Sequence, residues 1–197
     1  MKNSIPRLRL FPGFARALAL AVALLVPAVA QAHPGPPGHV HGFANGFIHP
    51  WTGLDHLCAM FAVGLWAAQR GGRALWAAPA AFLSFMAVGM ALGAAAPPIP
   101  WVEQGVAASV FVLGILLAGS LRLPLPAVIA LLSFFAIFHG LAHSQFSHAA
   151  AGILLATACL HLSGMAAGLA AKRFGSPAWI RGAGAAIAAC GLCLCLA

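Results

Sequence analysis

With 62% hydrophobic and 6% charged residues among 197, and a mean hydropathy of +0.98, the chain has too little polar surface to cover a soluble globule. Its several apolar stretches of about 20 residues point instead to an integral membrane protein. The formal charge of +8 does not indicate a nucleic-acid partner, because Lys2, Arg7, Arg9 and Arg16 precede one apolar run, the other six basic residues sit in short connections, and no basic cluster is interleaved with aromatics.

Residues 1–32 carry a basic leader, an apolar run from Ala17 to Val26, then Pro27 and the small-residue site Ala30-Gln31-Ala32. This layout predicts a secretory signal peptide cleaved after Ala32, since the apolar run is too short for a stable span. The next segment, His33 to Gly46, is rich in Pro and Gly and holds His33, His39 and His41. No regular helix is expected before Pro50, and the segment reads either as a solvated linker or as a mobile collector of divalent metal ions.

Length and punctuation then predict six membrane helices, near Pro50–Gln69, Leu75–Ala95, Trp101–Leu121, Pro124–His143, His148–Ala171 and Ala178–Ala197. The expected architecture is all-α and polytopic. A signal peptide (1–32) and a His/Pro/Gly-rich periplasmic segment (33–48) lead into a six-helix transmembrane domain (49–197). Arg70, Arg73, Arg122, Lys172, Arg173 and Arg181 all fall in or beside alternate connections, while 96–100 and 144–147 carry no Lys or Arg. The positive-inside rule places those basic connections in the cytoplasm and both mature termini in the periplasm. The chain is thus expected in a bacterial inner membrane, with the lipid bilayer as one partner.

Ionisable groups inside membrane helices are costly, roughly 2.5–3.5 kcal/mol for an Asp at mid-helix, and mark functional candidates. The stretch His49 to Gln69 holds two histidines and Asp55, one of only two acids in the chain. Glu103, the other acid, opens the third expected helix from the outer side; His139 and His143 close the fourth there, and His148 begins the fifth. Only His161 is expected substantially deeper. It shares a face with Gly164 and Gly168, so it reads as either an interhelical hydrogen-bonding residue or a ligand.

On an ideal helix His49, Gly53, His56 and Met60 form one stripe, with Asp55 about 100° around from His56. Either Gly53 lets the helix distort so that both reach one ion, or Asp55 accepts a proton from a ligand imidazole and fixes its tautomer. His139 and His143, four apart, share a face. Imidazole with carboxylate and a nearby thioether suits Ni²⁺, Co²⁺, Zn²⁺ or Cu²⁺ rather than Mg²⁺ or Ca²⁺. Cys58 and Cys159 read as small apolar packers, and Cys190, Cys193 and Cys195 as a Cys-rich helix end open to a disulfide or soft ligation.

The run His49-Pro50-Trp51-Thr52-Gly53-Leu54-Asp55-His56, continuing through Met60 and Val63-Gly64, resembles the HX5DH signature of the HupE/UreJ family. Phe138-His139-Gly140-Leu141-Ala142-His143, Leu160-His161-Leu162-Ser163-Gly164, and Glu103 followed by Ser109 and Gly114 are similar to later parts of that family. The resemblance covers nearly all of the mature chain. It implies a small nickel, or nickel/cobalt, permease serving hydrogenase or urease maturation, with His49, Asp55 and His56 as its metal-binding core. One departure is local: the family tends to continue HGxAHGxE, whereas His143 is followed here by Ser144-Gln145-Phe146. Gln145 or His148 could compensate at that mouth.

The metal-handling candidates are therefore His33, His49, Asp55, His56, Met60, Glu103, His139, His143, His148 and His161. No GxxxxGK[ST] loop occurs, so ATP hydrolysis by this chain is not expected. A membrane haem carrier held by histidines and a membrane metalloenzyme are the competing classes. Neither is expected, since the histidines gather at the outer surface with two acids and no nucleophile signature accompanies them.

Overall fold

A computed structural model describes residues 42–95, 99–174 and 177–197; the expected signal peptide and His33, His39 and His41 lie outside them. The described residues form seven α-helices: α1 Phe43–Thr52, α2 Leu54–Arg70, α3 Ala74–Ala95, α4 Val102–Gly119, α5 Leu125–Ala142, α6 Ala150–Arg173 and α7 Pro177–Leu196. A 3-10 turn, Ser144–Ala149, joins α5 to α6, and no strand occurs among the described residues.

Five helices, α3 to α7, are long and apolar enough to cross a membrane, so the protein is a multi-pass helical bundle. In α3 to α6 the apolar residues run around the whole helix rather than along one stripe, as lipid on one side and protein on the other demand. Helix α2 stands at the centre, against α6, α4, α3 and α7, while α3 pairs with α5 and α4 with α7. Ala62 to Ala68 of α2 are buried without interruption.

The expected first helix, Pro50–Gln69, is two pieces, and helix begins well before Pro50. Pro50 lies inside α1, where it forgoes one backbone donor. Tertiary contacts outweigh that loss. Phe43, Phe47 and Trp51 line up at four-residue spacing, the first pair stacked and the second tilted, with successive ring centroids 6.4 Å apart, and Gly46 lies directly against Ala149 and Gly152 at the start of α6. The break comes at Gly53, whose extended backbone (φ −83°, ψ 117°) separates α1 from α2. Its N–H donates to the His49 carbonyl at 3.3 Å and its own carbonyl accepts from Leu57 N–H at 2.9 Å, so the interruption leaves neither group orphaned.

The expected bare connection Ser144–Ser147, with a helix from His148, also differs. His143 N–H bonds back to the Gly140 carbonyl at 3.1 Å, and the chain continues as the 3-10 turn before α6 starts at Ala150.

Close helix crossings set the positions of the histidines. Gly64 of α2 lies on the backbone of His161 and Met165 in α6, and Gly140 of α5 on that of Met86 and Met90 in α3. A Cβ at either place would collide with a carbonyl oxygen of the facing helix, so glycine is what allows these backbones to touch. At the far end of the bundle, Lys172 lies beside Gly71, and Arg181 Nε donates to the Ala118 carbonyl at 3.0 Å. Gln69 Nε2 donates to Ser120 Oγ at 3.1 Å. Basic residues thus collect at one end and the outer histidines at the other.

Candidate metal site

Asp55 and His56 open α2 immediately after the Gly53 break. Asp55 Oδ1 accepts the backbone N–H of His56 at 2.8 Å and stands 2.8 Å from His56 Nδ1. A carboxylate so placed also faces the positive end of the α2 dipole. Because an ionised carboxylate only accepts, Nδ1 carries the proton and His56 Nε2 keeps a lone pair. That Nε2 is buried and has no hydrogen-bond partner among the described residues. Of the two arrangements raised by the sequence, Asp55 bonded to the imidazole beside it is the one seen, with the helix broken at Gly53 just before.

His139 of α5 repeats this arrangement with a neutral partner. Ser109 Oγ donates its one hydrogen to the Val106 carbonyl at 2.6 Å. The 2.8 Å contact between Ser109 Oγ and His139 Nε2 must then be an N–H donated by the imidazole. The lone pair is left on Nδ1, which is buried and unpartnered among the described residues. Two buried imidazoles on different helices, with ring centroids 5.0 Å apart, thus each have one nitrogen fixed by an oxygen and the other available as a ligand.

His143, at the end of α5, brings its buried ring to 4.4 Å from His56 and 5.0 Å from His49, centroid to centroid. His49, in the last turn of α1, lies 6.0 Å from His56. Four imidazoles from α1, α2 and α5 therefore form one contiguous cluster. Beneath it the fully buried Phe82 of α3 touches His139 on one side and His161 of α6 on the other, at 5.5 and 5.3 Å. Met60 is also fully buried, its sulfur accepting from Thr157 Oγ1 at 3.2 Å.

The remaining candidates stand apart. Glu103 is exposed and lines a cleft of about 160 Å³ with Ser144, Gln145 and Ala142, beside the His143 corner but outside the cluster of rings. His148 falls in the 3-10 turn, its side chain outside the described ones, and His33 precedes the described residues. The thiols of Cys58 and Cys190 meet between α2 and α7, and the cysteines of the described residues are free rather than bridged. Phe82 was not legible as a site residue from the sequence. Ser109 entered the sequence reading only through the family resemblance of the third expected helix, with no role attached; its one further signal is that it is the one hydroxyl in the α4 run.

The rings meet edge to face or tilted, and no three His, Cys, Asp or Glu side chains among the described residues converge as a finished metal cage. Rotation of imidazoles whose protons are already assigned would be needed to close around an ion. Such a cluster is suited to collecting a borderline divalent cation and releasing it again.

No solved structure matches this chain. Among curated proteins it is similar to "Protein HupE" of Rhizobium leguminosarum bv. viciae, 40% identical over 181 residues that cover 87% of this chain and 93% of that protein. The family model described as HupE / UreJ protein matches residues 20–194, which takes in every one of the described helices up to Leu194. With the HX5DH residues gathered in one histidine cluster and both comparisons extending over most of its length, the chain belongs to the HupE/UreJ family.

Proposed function

We propose that the protein carries a borderline divalent metal ion, Ni²⁺ first and Co²⁺ or Zn²⁺ next, across the cytoplasmic membrane into the cell, supplying hydrogenase or urease maturation. The single observation that carries this reading is the pair of complementary tautomers, in which His56 Nε2 and His139 Nδ1 are buried and unpartnered while Asp55 and Ser109 hold their other nitrogens. Nitrogen lone pairs left over in this way suit a metal ion of borderline softness.

In this reading the histidine end of the bundle faces the periplasm, with both mature termini, and the basic end faces the cytoplasm. The orientation rests on the distribution of Lys and Arg among the connections. Glu103, exposed in its cleft, attracts cations toward the mouth through its charge. His49 and His143 take the ion from there and pass it to His56 and His139. Asp55 serves as a positioning residue that holds His56 in its ligating tautomer. His33 and His148 belong to the outer approach.

Uptake of radiolabelled nickel by cells expressing the wild type or His56→Ala tests the proposal. At equal protein levels the variant is expected to lose at least about tenfold of the uptake, the lower range for loss of a metal-site group. Equal uptake would overturn the assignment.

A further inference from the structure

Beside Phe82, a turn further along α2 than His56, lies a second group of side chains of different chemistry. Met60 of α2 and Met86 of α3 direct their sulfurs at one hydroxyl, Thr157 Oγ1 of α6, at 3.2 and 3.7 Å. All three side chains are fully buried. A thioether is a weak acceptor, so this hydroxyl is poorly served for a group sealed in apolar surroundings.

His161 follows Thr157 on the same helix at four-residue spacing, which puts both on one face of α6. It is buried, 1% exposed, and neither of its ring nitrogens has a hydrogen-bond partner among the described residues. A buried imidazole without a partner is an exception that calls for an account. The tight α2–α6 crossing at Gly64, which lies on the His161 backbone, keeps the helix carrying His161 close to the one carrying Met60.

We propose that Met60, Met86, Thr157 and His161 form a second, softer stop for the cation, a turn further along α2 than His56. It takes a borderline or soft metal ion through an imidazole nitrogen and two thioether sulfurs, and the Thr157 hydroxyl turns from hydrogen-bond donor to oxygen ligand. The inference rests on the uptake reading above only for the route by which the ion arrives.

Three features fit the assignment. The two sulfurs already flank one oxygen, and methionine, with three rotatable bonds and a polarisable thioether, is the side chain best able to swing onto an ion. Hard ions such as Mg²⁺ and Ca²⁺, which require several oxygen ligands, gain nothing there. All four ligands are uncharged, so the ion is held weakly and can leave again, as conduction through successive sites requires.

The test is titration of the purified full-length protein with Ni²⁺ alone, followed by metal content and nickel X-ray absorption. Two ions per chain are expected, the tighter with nitrogen and oxygen neighbours and the weaker with sulfur in its coordination sphere. The double variant M60L/M86L, a volume-conserving exchange, is expected to keep the first ion and lose the second, with His56→Ala doing the reverse. Should the double variant not fold, Met86→Leu alone is expected to weaken the sulfur signal of the second ion. One ion per chain in the wild type, or a second ion whose sulfur signal is undiminished by the Met86→Leu exchange, overturns the inference while leaving the outer site intact. A sulfur-bound ion without a nitrogen-bound one overturns the uptake reading instead, and no bound nickel at all overturns both.

Discussion

His56 and His139 on one side of Phe82, and His161 on the other, are all buried imidazoles, but they are held in different ways. Each of the outer pair has one nitrogen fixed by an oxygen, Asp55 Oδ1 or Ser109 Oγ, at 2.8 Å. His161 has neither nitrogen fixed among the described residues; its ring lies against Phe82 and its backbone against Gly64 of α2. In the proposed uptake reading, the outer rings therefore have tautomer and orientation set before an ion arrives, which reduces the cost of binding. The inner ring keeps both tautomers and depends on flexible neighbours. The proposed transport path gains from that order, with firm capture at its entrance and looser holding deeper in.

The outer pair also differs internally. Asp55 is charged and takes two N–H groups of His56, from backbone and ring. Ser109 is neutral and is itself anchored to the Val106 carbonyl. The two imidazoles are thus held by partners of different charge, one by an anion and one by a neutral hydroxyl.

The largest effect is expected where the two layers are kept apart. Phe82→Ala removes a fully buried ring in contact with both layers and is expected to lower stability by about 3–5 kcal/mol, the range for emptying a buried aromatic site. Thermal unfolding in detergent measures this. A loss under about 1 kcal/mol would show that the neighbouring helices close over the gap, in which case Phe82 does not separate the two histidine layers. Next comes the charged partner. Asp55→Asn keeps an acceptor oxygen and the shape but discards the charge, and is expected to weaken Ni²⁺ binding by about 10- to 100-fold with the fold intact. Binding as tight as that of the wild type would leave hydrogen bonding alone as the role of Asp55.

What could be read from the sequence follows from cost. His49, Asp55, His56, His139 and His143 stand out because ionisable groups in apolar helices are rare, and the ends of α3 to α7 follow from length and from Gly and Pro in the connections. What escaped reading was decided by tertiary contact. Pro50 and the glycines before it look like helix breakers, yet α1 forms because Gly46 can lie on the start of α6 and three aromatic rings line up along one side. Glu103 was expected beside the histidines because it shares their depth, but depth fixes no direction. Six residues from Ser109 on the same helix, it points about 120° away at 100° per residue, toward the exposed cleft rather than the buried pair. Thr157 and Met86 look like ordinary packing residues until α2, α3 and α6 are brought together.

The smallest predicted effect bears most directly on the contrast between fixed and free imidazoles. Ser109→Ala removes the oxygen that receives the His139 Nε2 proton and leaves the ring, like His161, without a fixed nitrogen. The charge of the site does not change and only one hydroxyl is lost, so Ni²⁺ binding is expected to weaken by about tenfold, the lower end of the range for such supporting groups. Nitrogen NMR of histidine-labelled protein provides the sharper readout, with His139 a single Nε2–H tautomer in the wild type and a mixture of tautomers in the variant. If His139 in the wild type carries its proton on Nδ1 instead, the lone pair assigned to the metal is absent. The outer layer would then be no better prepared than the inner one.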